Sequence, residues 1–145
     1  MFKWENIVKV GTIDEINAEN KALAKVKISS RVSDFLPVLM FANSFKRRWE
    51  PVRVGEQVTV FCPFGNPNFG LVIRGIFNSS CKEPVGASDT CEVTEYEDGT
   101  RFSYDTKSKT FTGHFVGDVN LNIGGNLTIK ATGNIDIDGA RIDLN

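Results

Sequence analysis

The last twenty-nine residues constrain this chain more than any other stretch, because they repeat every eight positions. Gly117, Gly125 and Gly133 open successive octads, and within them Val119, Leu121, Ile123, Leu127, Ile129, Ile135 and Ile137 occupy alternate positions. Period-two alternation places such side chains on one face of an extended ribbon, with Asn120, Asn122, Thr128, Lys130, Asp136 and Asp138 on the other. After Ile137 the parity switches: Ile142 and Leu144 are even-numbered, and Gly139-Ala140 lies between. That switch predicts a bulge or turn redirecting the final strand.

This ribbon has no means of covering its own apolar stripe. Three octads of one strand each supply no second layer, so the aliphatic face has to be buried against other chains. The simplest closed arrangement winds three copies about one axis, aliphatics inward, with glycines where the chain turns sharply between faces. Closure also removes the open strand edges that invite aggregation. The expected trimer core is Val119, Leu121, Ile123, Leu127, Ile129, Ile135, Ile137, Ile142 and Leu144. The competing arrangement, ordinary strands of a monomeric barrel or sandwich, is disfavoured because such strands are not usually octad-phased with glycine.

Charge is divided unevenly along the 145 residues. Residues 1–78 carry eleven Lys or Arg against seven Asp or Glu (+4), residues 79–116 four against seven (−3), and the octads two against four (−2). An acidic far end argues against a tip that binds nucleic acid. There is no run of eighteen apolar residues, and MFKWENIVKV lacks the apolar centre of a signal peptide, so synthesis and assembly in the cytoplasm are expected. Cys62, Cys81 and Cys91 are odd in number, form no CxxC pair and accompany a single histidine, so they are expected to be free thiols rather than a zinc site or disulfide framework. No cofactor and no metal are expected.

The rest of the chain reads as short strands and turns. Val8 and Val10 alternate with Lys9, and Ala24, Val26 and Ile28 with Lys25 and Lys27, around a polar NAEN turn: a hairpin. VSDFLPVLMFANSFKRRWEP, with Pro37 disfavouring a central strand, predicts one irregular strand and a loop. Val58, Val60 and Cys62 alternate with Gln57, Thr59 and Phe61, and a GNPN turn leads into residues 70–77, a second hairpin. Four or five strands in about 75 residues without a helix suit a small closed barrel, for which the oligonucleotide/oligosaccharide-binding (OB) fold is the common solution. SSCKEPVGASDTCEV has no periodicity and is read as a linker or neck. A further hairpin follows, with a tight Asp98-Gly99 turn, Phe102 and Tyr104 alternating with Ser103, a TKSK turn, and residues 111–115 running into the first octad. The expected division is an OB-fold barrel at 1–78, a neck at 79–93, a lead-in hairpin at 94–116 and a trimeric triple-stranded β-helix at 117–145, all-β throughout.

Taken in order, GTIDEINAENKALAKVKI, PVRVGEQVTVFCPFGNPNFGLVIRGIFN, DGTRFSYDTKSKTFTGHF and the octads ending in ARIDLN resemble the baseplate assembly protein V family, the tail spikes of contractile-tailed phages. They also resemble the matching portion of VgrG hub proteins in type VI secretion. The resemblance implies a virion tail-baseplate component: a homotrimer whose N-terminal barrels meet tail-tube and baseplate hub proteins, and whose needle transiently pierces the host outer membrane on sheath contraction. Many members carry a His-x-His pair holding iron near the tip; here the one histidine, His114, precedes the octads. The point is then formed by ARIDLN itself or by a separate PAAR-type tip protein.

Two rivals follow from the residues. Lys46-Arg47-Arg48-Trp49 with Phe41 and Phe45 has the composition of a platform that stacks bases and tracks phosphate, which would make the barrel a single-stranded nucleic-acid-binding module. For catalysis, Glu92, Glu95, Glu97 and Asp98 would have to flank a cleft, or a cysteine would have to pair with His114. Neither pattern is complete, so no catalytic residue is assigned.

Overall fold

The computed structural model describes residues 6–143 and is all-β, with antiparallel sheets. It comprises two compact units, the first running to Glu83 and the second from Pro84.

In the first unit, β1 (Val8–Ile16), β2 (Leu23–Ile28), β3 (Arg31–Val32), β4 (Leu36–Pro37), β5 (Gln57–Phe61) and β6 (Leu71–Ile73) form one sheet. The long β1 serves two neighbours, pairing its first half with β5 and its second with β2. A register shift between Ile13 and Glu15 interrupts the pairing with β2; such a bulge bends and twists the strand. β5 pairs with β6, and β2 with β4. The ring is completed by a parallel bridge between Val38 and Val72, where the Leu39 N–H donates to the Val72 carbonyl at 2.8 Å.

The ring encloses Ile13, Ala24, Val26, Leu36, Val38, Val52, Val58, Val60, Cys62 and Val72, all buried. On β5 the inward set, Val58 and Val60 with Cys62 following, matches the alternation in the sequence. On β1 the parity is the reverse of what its valines suggest. Val8 and Val10 are exposed, and Gly11 and Ile13 are buried. The reason is the approach of β2: a Cβ at Gly11 would lie 2.5 Å from Val26 Cγ1 and 2.7 Å from the Lys27 carbonyl. Only glycine fits where the two strands cross this closely.

The stretch expected to run as a strand through residues 70–77 is extended only from Leu71 to Ile73. Gly75, at φ +89°, turns the chain. Arg74 is drawn across to the preceding loop, where its guanidinium makes a two-pronged pair with Glu56 (Nε to Oε1 2.7 Å, Nη2 to Oε2 2.8 Å) and donates to the carbonyls of Glu50 and Pro51, each at 2.8 Å. Five planar donors suit a single arginine to this clamp.

The second unit contains β7 (Cys91–Glu95), β8 (Arg101–Asp105) and β9 (Thr110–His114), an antiparallel meander in that order. Its turns follow the sequence: Gly99 takes φ +88° after Asp98, and the Asp105 carboxylate accepts from the Lys107 N–H at 2.9 Å to hold TKSK. β7 begins inside the stretch expected to be a neck, so the hairpin is in fact three strands. Three of its five residues precede Thr94, and its half-buried side chains, Cys91 and Val93, interleave with exposed Glu92 and Thr94 too briefly to stand out as a period. Among the described residues of this unit, no side chain is buried.

Candidate functional site

The octads are where this second unit is least self-sufficient. From Gly117 to Asp143 no residue belongs to a strand or bridge, and every one is exposed. The sequence-predicted core residues Val119, Leu121, Ile123, Leu127, Ile129, Ile135, Ile137 and Ile142 range from 44% (Ile123) to 78% (Leu121) exposed; Leu144 lies outside the described residues. Leaving large aliphatics in water costs about 1.5–3 kcal/mol apiece relative to burial, and isolated exposed leucines are ordinary whereas a regular row of them is not. Within the tract, Arg141 Nε pairs with Asp143 Oδ2 at 2.9 Å, a solvent-exposed contact that contributes little. From Gly117 to Asp143 the tract offers backbone donors and acceptors outside any strand or bridge together with an apolar stripe, a surface suited to strand addition and burial.

The basic-aromatic cluster gathers on a short finger. Ala42 bridges Arg47, the Arg48 N–H donates to the Phe41 carbonyl at 2.9 Å, and Asn43 Oδ1 accepts from the N–H groups of Phe45 and Lys46, both at 2.9 Å. Phe45 stands at the tip, 95% exposed. Arg48 is drawn aside to Glu50 at 2.7 Å, which offsets one of the three charges. Beside the finger, Leu39, Met40, Phe41 and Ile73 line a groove of about 450 Å³ whose floor includes Arg74 and Glu56.

The catalytic arrangements weighed from sequence are not assembled within the second unit. Cys91 is opposite Asp105, which is opposite Thr110, while His114 lies four residues further along β9. With strands about 4.8 Å apart and a rise of about 3.3 Å per residue, the thiol and imidazole are some 10 Å apart across the sheet and 13 Å along it. Glu92 and Glu95 project from opposite faces of β7, and Glu95 turns to Arg101 at 3.8 Å. Asp98 is spent on its turn, accepting from the Thr100 N–H at 2.8 Å. Cys62 is buried in the first unit, and desolvation pushes its thiol pKa up despite the opposing influence of Lys9, which keeps it protonated and unreactive. Sequence reasoning missed the Arg74 clamp, whose partner Glu56 is eighteen positions away.

No family model matches the chain. The class that the fold defines is an all-β chain with antiparallel sheets and a glycine-phased, uncovered tract from Gly117 to Asp143 that lies outside any strand. Over 140 aligned residues it is 22% identical to the spike protein of Escherichia phage P2, a match covering 92% of this chain. The chain spans 65% of that protein's length.

Proposed function

We propose that this chain is the structural spike of a contractile phage tail or related injection device, working as a homotrimer that pierces the host cell envelope. The observation that carries this reading is the row of exposed aliphatics at alternate positions in an extended tract without a strand partner in its own chain. Winding three copies into a triple-stranded β-helix would bury that row, pair the free backbone groups between chains and leave Asn, Asp, Thr and Lys outside. The similarity to a phage spike protein supports the same reading. The first unit is then an OB-type barrel, as its ring order and the parallel Val38–Val72 closure favour, seated on tail-tube and hub proteins. The role is mechanical and non-catalytic. A narrow, densely hydrogen-bonded rod transmits force, and a separate PAAR-type protein completes its point. The site of action is the virion tail baseplate, after assembly in the host cytoplasm.

Sedimentation of the purified protein tests the proposal directly. A mass near three times 16.1 kDa is the expected result. A well-folded single chain in dilute solution would overturn it.

A further inference from the structure

Lys9 stands on the core side of β1. It shares the inward parity of Gly11 and Ile13, is half-buried, and pairs in register with the buried Val60 of β5. Drawing an ammonium toward a hydrophobic core costs free energy, so a lysine at such a position calls for a reason other than packing. It lines a cavity of about 490 Å³ together with Asn6, Arg31, Ser33, Cys62 and Asn68. These residues bring three separate stretches to one place: the start of β1, the short β3 with the residue after it, and the β5–β6 connection.

The wall of this cavity is rich in donors. Lys9 Nζ donates to Asn6 Oδ1 at 2.8 Å and the Asp34 N–H to Asn68 Oδ1 at 3.2 Å, so each side-chain amide has its oxygen engaged. No described residue accepts from either NH2 group, and among the described residues nothing pairs with the guanidinium of Arg31. The Ser33 hydroxyl is already committed, accepting from the Val26 N–H at 2.9 Å and donating to the Asp34 carbonyl at 2.8 Å. Asp34 meets this group through its backbone, and the described lining residues include no Asp or Glu. A guanidinium fork, an ammonium and two amide donors around one cavity match the oxygens of an anion.

We propose that this cavity of the first unit binds a tetrahedral oxyanion of the phosphate or sulfate class. Arg31 anchors it through parallel N–H groups, Lys9 adds charge, and the amides of Asn6 and Asn68 take the remaining oxygens. An anion held there ties β1, β3 and the β5–β6 connection together and stabilises the folded unit by mass action. The site lies within the first unit and needs no neighbouring chain, so it stands or falls independently of the trimeric needle.

Inorganic phosphate is the probe, titrated calorimetrically into the full chain in a buffer free of other oxyanions, with sodium chloride holding the ionic strength constant. Saturable binding with a millimolar or tighter Kd is expected, and a urea midpoint that rises with phosphate. Arg31→Met should weaken binding about tenfold or more, and Arg31→Lys, which keeps the charge but loses the fork, should recover little of it. Arg47→Met, on the finger and outside the cavity, should bind like the parent. Both arginines are exposed, so these variants should keep the parent's melting temperature and any loss reports on binding. Sulfate should compete with phosphate, and acetate at the same ionic strength should not. Heats that do not saturate, or undiminished binding by Arg31→Met, would overturn the site. Equal loss in Arg47→Met would overturn it as well, by showing diffuse attraction to a basic surface, and equal competition by acetate would overturn the tetrahedral class.

Discussion

Ile129→Asp sets the trimeric assembly against a lone chain most sharply. Ile129 is 65% exposed within one chain, so a carboxylate there should change the stability of an isolated subunit by no more than about 0.5 kcal/mol. If three copies bury it on their axis, each loses about 1.5–3 kcal/mol of aliphatic burial, or roughly 4.5–9 kcal/mol per assembly. Three carboxylates would also be brought together out of water, which adds to the cost unless they take up protons. At about 1.4 kcal/mol per factor of ten, the burial loss alone weakens assembly by about three to six orders of magnitude. Sedimentation velocity at micromolar concentration, with unboiled SDS gels alongside, should show the variant as single chains. Lys130→Ala, one residue away on the outward face, should sediment like the parent. An Ile129→Asp protein that stayed trimeric and SDS-resistant would refute the inward assignment, and loss of assembly in Lys130→Ala would mean that the register is reversed.

Arg74→Ala should destabilise the first unit by about 1.5–3 kcal/mol through loss of charged hydrogen bonds to Glu56 and two carbonyls, read as a lower urea midpoint at fixed protein concentration, and Arg74→Lys should recover little of it. Gly11→Ala should cost about 1–3 kcal/mol by overpacking against Val26, whereas a neutral result would mean that β1 and β2 separate readily. The Lys107 N–H holds the Asp105 carboxyl below its ordinary pKa; the group's contribution is therefore present above its unfolded pKa and is lost as pH falls through the lower folded value. Melting temperatures below about pH 4 should fall more steeply in the parent than in Asp105→Asn, and parallel curves would refute that contribution. Titration of fluorescent oligonucleotides should show no salt-dependent binding at physiological ionic strength; a steep salt dependence abolished by Lys46→Glu with Arg47→Glu would restore the nucleic-acid rival.

What can be read from sequence here is local and periodic. Alternation on β5, the Asp98-Gly99 turn, the all-β class and the uncovered stripe of the octads all depend on residues within a few positions of one another, where strand parity and glycine conformation leave few choices. The sequence determined by itself that residues 119–137 carry an apolar stripe with no second layer of their own. Tertiary structure alone decided which parity of β1 faces inward, because that depends on how closely Val26 crosses Gly11. It also decided where the segment after β4 meets β6, through a single parallel bridge between Val38 and Val72, and where β6 stops, through a guanidinium reaching eighteen positions back to Glu56. Such contacts join segments far apart in the chain, and no pattern along one segment encodes the distance between two.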